Sequence, residues 1–318
     1  MQIPEGDLDL VAVGETLIDF ISTDEVDHLS EAETFTRYLG GSPANIAVNI
    51  ARLGGRSAVV SKVGGVAFSQ FARDELRRYG VCTDYIVTDP EARTSMVFVT
   101  RSKRTPDFED FRDADFRLAP AELAPAAIAR ARVVHASSFA ASREPCRSTI
   151  RRAFSLARDA GKLISFDPNY SPRIWPDKDD ALATLRELYR YTTLTKPSLD
   201  DAMRLMGPGL APEEYIGRFH DMGVRLVILT MGREGILMSD AGKLLGHVPA
   251  RSINVVDATG AGDSFWAGFL VALLDGNSIE RSVLFAREVV ETKLANVGPL
   301  PAWVSREAIY QRLPIPAS

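Results

Sequence analysis

An apolar run at 8–13 ends at Gly14, the pattern of a buried strand delivered into a turn. Beyond it, two periodicities take turns along the chain. Apolar residues at three- and four-residue spacing predict helices over 43–53, 69–79, 145–160, 179–190, 212–222, 261–274 and 280–295. Between many of them lie short β-rich runs, at 58–63, 96–100, 133–136, 163–166, 192–195 and 226–230, with one more strand-like stretch at 253–256. Strands that alternate with helices predict an α/β fold, in which a mainly parallel sheet is covered by helices on both faces.

Two regions break the alternation. Residues 15–40 and 84–118 carry short alternating strand patterns and few helix signals, which predicts a small antiparallel flap beside the main sheet, placed to act as a lid. Within it, the charged run 101–115 reads on composition as a plain solvated loop. No repeat, low-complexity tract or Pro/Ser linker marks a second domain, so 1–318 reads as a single domain.

Composition narrows the function. A chain of 318 residues with 46% hydrophobic content can bury one large core or two modest ones. A net charge of −5 offers no basic surplus for nucleic acid or an anionic membrane. Cys82 and Cys146 show neither zinc nor redox spacing and read as reduced thiols, and His28, His135, His220 and His247 show no metal-ligand spacing. The N-terminus has no basic and apolar leader pattern, and no run reaches the roughly 18 apolar residues of a membrane span. A cytoplasmic protein is expected.

Two segments carry chemistry. In DATGAGDSFWAGFL, 257–270, Gly260 and Gly262 sit where a strand-like stretch meets an amphipathic helix, so consecutive N–H groups can point outward at a helix N-terminus. That arrangement binds anions, and it suits a phosphate gaining charge during transfer. Asp263 falls in the first helical turn, where a carboxylate is stabilised and can accept a proton. An equally simple reading makes Asp263 a helix cap and the glycines a tight turn. The P-loop pattern is absent, and Phe265 occupies the third glycine position of a dinucleotide fingerprint.

The second segment is YLGGSPANIAVNIARLGG, 38–55. Gly40 and Gly41 permit close backbone approach, Pro43 suits a first helical turn, and Ala44, Ala47, Val48 and Ala51 supply a small-residue packing face. Asn45, near the helix start, has an amide that can both donate to and accept from a sugar hydroxyl, or merely cap.

Taken together, GGSPANIAVNIARLGG and DATGAGDSFWAGF resemble the two signatures of the PfkB (ribokinase-like) carbohydrate kinases, in the expected order and separation. The resemblance runs nearly end to end. It implies a three-layer α/β/α sandwich with a small β-sheet lid, ATP as phosphoryl donor with Mg²⁺, a possible requirement for K⁺, and a homodimer formed through the lid. It assigns Asp263 as the catalytic base and Gly260, Ala261 and Gly262 as the anion hole. Asp19 in GETLIDF, Gly40, Gly41 and Asn45 match the sugar shell. Thr230, Gly232 and Gly235 in LTMGREG match a nucleotide loop, with Ser198 also on the nucleotide side, and Asp257 matches a monovalent-cation site.

Within the family, Pro43 and SFDPNYSPRIW at 165–175 resemble fructokinases, with Asn169 and the pair Phe111 and Arg112 placed toward the sugar. Three departures stand out. Ser171 replaces a usual arginine, with Arg173 nearby as a substitute. The N-x-x-E motif is reduced to Ser198-Leu199-Asp200-Asp201, leaving Asp201 to reach Mg²⁺ through water. Arg287 and Glu288 intrude on a segment that is small-residue-rich beside the adenine in the family. The resemblance therefore implies a ketohexose kinase. Its alternatives are a 2-keto-3-deoxygluconate, ribose or nucleoside kinase, or a non-catalytic sugar- or nucleotide-binding regulator.

Overall fold

The computed structural model describes residues 1–65, 67–102 and 107–314. In chain order its strands are β1 (Leu8–Val13), β2 (Leu17–Glu25), β3 (Phe35–Gly40), β4 (Ser57–Gly64), β5 (Ile86–Asp89), β6 (Met96–Arg101) and β7 (Phe108–Phe111). They continue with β8 (Ala131–Ser137), β9 (Leu163–Asp167), β10 (Leu194–Thr195), β11 (Leu226–Thr230), β12 (Ile236–Asp240) and β13 (Lys243–Val248). Helices α1 (Ser42–Arg52), α2 (Ala67–Arg78), α3 (Pro125–Arg130), α4 (Ser138–Ala141), α5 (Cys146–Asp159) and α6 (Lys178–Tyr189) fall between them. They are followed by α7 (Leu199–Met206), α8 (Pro212–Asp221), α9 (Ala261–Leu274), α10 (Ile279–Leu294) and α11 (Arg306–Arg312).

The large sheet has nine strands in the order β13-β12-β11-β10-β9-β8-β1-β4-β5, parallel from β11 to β5. Side-chain alternation splits its burial between two faces. Leu10, Ala12, Val59, Val63, Leu226 and Ile228 pack with α1, α9 and α10. Val11, Val13, Ala58, Val60, Val227 and Leu229 pack with α3, α5, α6 and α8. The three-layer arrangement is thus observed. Helix α9 is buried on every side from Asp263 to Leu274, so its axis is fixed by packing, while its start at Ala261 and Gly262 reaches toward the surface.

The seven expected helices fall within two residues of their predicted bounds, the short α3, α4, α7 and α11 were not anticipated, and the differences among the strands have physical causes. Residues 253–256 form no strand; Val256 N donates instead to Leu294 O at 2.8 Å, tying that stretch to the end of α10. The hairpin β12–β13 was not predicted, because β13 lies at the sheet edge with Leu244 and Leu245 exposed, so apolar patterning carries no inside/outside signal. Its turn uses two consecutive positive-φ residues, Ala241 (+50°) and Gly242 (+80°). Residues 86–89, expected with the flap, pair with β4 in the large sheet.

The second sheet, β3-β2-β6-β7, is mixed rather than antiparallel: β2 and β6 run parallel, because a long crossover through α1, β4, α2 and β5 separates them. The solvated-loop reading of 101–115 is corrected in part. Phe108–Phe111 forms β7, and Arg112 and Asp115 enter the interior as a neutralising pair; residues 103–106 lie outside the described residues. One face of this sheet, through Leu17, Val97 and Val99, packs on Phe108 and Phe139. On the other, Phe98 stacks on Phe20 at 5.0 Å and meets Phe35 and Phe111 edge-on, with Phe111 51% exposed.

Candidate active site

Two helix N-termini converge on one carboxylate. Gly260, in the left-handed region at φ +70°, turns the chain into α9 so that Asp263 occupies the first turn. Gly41, at φ +100°, does the same for α1; a Cβ there would lie 2.5 Å from Glu15 O. Asp263 Oδ1 accepts from Ser42 Oγ at 2.7 Å, and its Oδ2 accepts from Asn45 Nδ2 at 3.0 Å. Asn169 Nδ2 donates to the same Ser42 hydroxyl at 3.0 Å. Burial raises the Asp263 pKa, and the Ser42 and Asn45 hydrogen bonds and the Lys196 charge oppose the rise. A carboxylate lifted toward neutrality is a stronger base than an exposed one.

Beside that pair of helix ends, the small sheet contributes Asp19 from β2. Gly40 makes room for it, since a Cβ at that position would fall 2.3 Å from Asp19 Cγ. Asp19 shares a cavity with Asn45, Asn49, Tyr38 and Gly260. Its pKa is pushed up to about 7 by burial and by the nearby Asp263 charge. Asn49, one turn beyond Asn45 on α1, is buried with its Oδ1 unpartnered among the described residues, so an acceptor faces this cavity.

The remaining groups stand at the carboxyl ends of the parallel strands, where α/β sheets open into a crevice. At the end of β9, Asp167 pairs with Lys196, just past β10, at 2.9 Å, and both are buried. Burial pushes Asp167 up, against the pull of Lys196, while Asp167, Asp201 and Asp263 keep Lys196 protonated despite its own burial. The Lys196 ammonium is 3.1 Å from where a Gly262 Cβ would lie, so it sits beneath the first turn of α9. Gly262 itself is exposed. The Gly262 and Asp263 amides, like all first-turn amides, lack intrahelical acceptors, whereas Ala261 N already donates to Ala258 O at 3.2 Å.

Asn169 adopts φ +34°, a conformation a non-glycine residue holds only when its surroundings enforce it. The enforcement comes from Ser42 on its side chain and from Asp201, whose Oδ1 accepts from Tyr170 N at 2.8 Å. Asp201 Oδ2 accepts from Ser198 Oγ at 2.6 Å, closing a capping box at the start of α7. Both oxygens of Asp201 therefore have protein donors, and among the described residues no cluster of three or more acidic, His or Cys side chains could hold a metal. Thr230 ends β11 and bridges to Ser198, and the positive-φ residues Gly232 and Gly235 shape the turn that follows.

Two expected site residues have other partners. Arg112 is buried, paired with Asp115 at 2.5 Å, donates to Ser142 Oγ at 2.6 Å and lies over the Phe139 ring at 4.1 Å. It braces the small sheet against α4. Asp257 is paired with the buried Lys293 at 3.1 Å. Of the departures, Arg287 donates to Pro249 O at 3.1 Å, while Arg251 pairs with Glu288 and Glu291, so both join the chain after β13 to α10. The sequence reading missed Glu15, Ser42, Asn49, Lys196 and Lys293. Ser42 lies inside the quoted GGSPAN and Lys196 two residues before Ser198, but a hydroxyl and a lysine at those positions have no periodicity to betray them.

A family model described as pfkB family carbohydrate kinase matches residues 7–301. An ATP-dependent 6-phosphofructokinase of Thermoanaerobacterium thermosaccharolyticum is 37% identical over 292 residues, covering 92% of this chain and 89% of that protein. The structure of Halothermothrix orenii fructokinase superposes with TM-score 0.78 at 42% identity, over 91% of this chain and 99% of that one. A double mutant of fructokinase from Vibrio cholerae O395, in its fructose, ADP and potassium ion bound form, superposes with TM-score 0.84 at 26% identity, over 97% and 99%.

Glu15 supplies the capping group that Gly41 lacks: its Oε1 accepts from Ser42 N at 3.0 Å and from Ser137 Oγ at 3.1 Å. Burial pushes its pKa up to about 8, so between the usual carboxylate range and pH 8 the folded chain binds more protons than the unfolded one, and stability falls as pH rises. Below pH 6.5 the buried His135, pulled down to about 3, works in the opposite sense. From pH 6.5 to 8 the melting temperature should therefore decline, and Glu15→Gln should flatten the slope. A slope unchanged in the variant, measured by thermal denaturation across that window, refutes this account of Glu15.

Proposed function

Because the chain belongs to the pfkB family of carbohydrate kinases, we propose that it transfers the γ-phosphoryl group of ATP to a hydroxyl of a neutral ketohexose, fructose in the first instance. The observation that carries this reading is the buried Asp263, held between the N-termini of α1 and α9 by Ser42 and Asn45 and near enough to Asp19 for its charge to raise the Asp19 pKa.

Phosphoryl transfer asks a protein for alignment and charge cancellation rather than for covalent chemistry. A sugar hydroxyl lying against Asp19 and the Asn45 amide points its proton at Asp263. As its oxygen bonds to the γ-phosphorus, the bond to the β-phosphate oxygen breaks, ADP departs and Asp263 takes the proton. The first-turn amides of α9 and the Lys196 ammonium receive the negative charge on the moving group, in a site dry enough for both to count. Mg²⁺ would ride on the triphosphate oxygens and meet Asp201 only through water, which suits an ion slow to shed its hydration shell. Thr230, Gly232, Gly235 and Ser198 line the nucleotide side, and the small sheet closes over the sugar to exclude water. A reaction that draws on ATP belongs with the cytoplasmic nucleotide pool.

Charge bookkeeping favours a neutral over an anionic acceptor among the family alternatives. A sugar phosphate or sugar acid needs a free cation at its far end. Arg112 is matched by Asp115, and Arg173 by Asp107 at 2.9 Å. Both arginines offered to an anionic substrate are thus already neutralised, and a neutral sugar needs neither. For the quaternary state, the aromatic face of the small sheet, Phe20, Phe35, Phe98 and Phe111, fits a second copy of itself, giving a homodimer joined through the lids.

An ADP-release assay with fructose, fructose 6-phosphate, 2-keto-3-deoxygluconate, ribose and adenosine should give the highest kcat/KM with fructose; preference for an anionic sugar overturns the charge argument, and no sugar-dependent ATP consumption leaves a non-catalytic binder. Asp263→Asn should retain sugar binding but lower kcat by at least about 100-fold. Near-normal turnover removes Asp263 from the reaction. In sedimentation, the wild type should run as a dimer and Phe98→Asp as a monomer; a wild-type monomer rejects the lid interface.

A further inference from the structure

The resemblance and the potassium-bound fructokinase raise a cation site at Asp257, and the residues present do not fit an exchangeable ion there. Lys293 Nζ lies 3.1 Å from Asp257 Oδ2, 3.3 Å from Asp257 O and 3.3 Å from Asn296 O. An ammonium carries three N–H donors, and these three oxygens use all of them. The side chain is 3% exposed on a residue basis, so it is inside the protein rather than folded over its surface. A lysine near a helix C-terminus ordinarily snorkels to water or meets the last carbonyls of its own helix. This one turns inward to a buried carboxylate from another segment.

We propose that the Lys293 ammonium is a tethered internal cation that takes the place of an alkali-metal ion, so that nucleotide binding and phosphoryl transfer by this chain do not depend on K⁺. The inference rests on the sugar-kinase reading for the transfer step alone. The charge matters because of what Asp257 holds. Its Oδ1 accepts from Thr259 N at 2.9 Å and its Oδ2 from Gly298 N at 3.4 Å, joining the approach to α9 to the turn after α10. Val256 and Asp257 amides both donate to Leu294 O, at 2.8 and 3.4 Å, completing the clamp. Three residues beyond Asp257 comes Gly260, whose left-handed turn aims the first-turn amides of α9. A buried carboxylate with no cation beside it would be repelled from this position, and the loop with it. Lys293 thus acts as a positioning residue. A metal ion drawn to the same oxygens would meet a fixed positive charge already there, and like charges in one buried site exclude each other.

The test uses the full chain in equal concentrations of potassium chloride or tetramethylammonium chloride. Calorimetry should give the wild type the same Mg·ADP affinity in both salts within about twofold, against the roughly 5- to 150-fold change typical of a coupled effector. Its melting temperature should also be the same in both. Lys293→Ala vacates the three oxygens: in tetramethylammonium it should bind Mg·ADP more weakly and melt lower, and potassium or ammonium should restore both. Lys293→Met keeps the side-chain bulk without the charge and should be weakened without rescue. A wild type whose ADP affinity and melting temperature rise with potassium, or a Lys293→Ala variant indifferent to potassium, overturns the proposal. If Lys293→Ala does not fold, the wild-type comparison and Lys293→Met decide. If the wild type binds no ADP at all, the kinase reading fails, while the melting-temperature comparison still tests the internal cation.

Discussion

The structure is organised around a carboxylate that cannot leave. Asp263 is the first polar group on a helix otherwise sheathed in apolar contacts, so its place is set by the packing of α9 rather than by its own bonds. Once the core has fixed α9, the Ser42 hydroxyl and the Asn45 amide must come to it, because an ionised oxygen left without donors in that environment is expensive. The register of α1 follows from this demand, and so does the entry turn at Gly41. Glu15 then caps α1 from behind, since Gly41 has no side chain with which to do so.

The same economy explains why so many buried charges surround one cleft. Glu15, Asp19, Asp167 and Asp263 all have pKa values raised chiefly by burial, and each has a different answer to that penalty. Asp167 has Lys196, Glu15 has α1's first amide and Ser137, Asp263 has donors from α1, and Asp19 has only the cavity. The cations differ too: Lys196 lies under an exposed glycine, Arg112 is closed in against Asp115, and Lys293, paired with Asp257, borders the cavity that Asp19 lines.

How far this was legible in the chain follows from what each feature leaves in the sequence. Buried strands and amphipathic helices repeat, so the two-faced sheet could be read from periodicity, and the glycine turns before α1 and α9 announce themselves because few other residues tolerate those angles. An exposed edge strand such as β13 has no such pattern, and 253–256 has the composition of a strand while its backbone bonds to the end of α10 instead of to a sheet neighbour. Arg112 and Asp115 illustrate a deeper limit. In sequence they belong to a hydrophilic run; only their mutual neutralisation in three dimensions lets them enter the core. Lys293 and Asp257 are 36 residues apart and hidden for the same reason.

One joint has a mechanical side. β1 belongs to the large sheet and β2 to the small one, with only 14–16 between them, and the middle residue of the three is Glu15. Glu15 holds the start of α1 through Ser42 N, and the Ser42 hydroxyl donates to Asp263, so this joint between the sheets is bonded on to the buried carboxylate. In the proposed kinase, the piece of chain that links cover to core is therefore also the piece that anchors the base, so the two share one mounting.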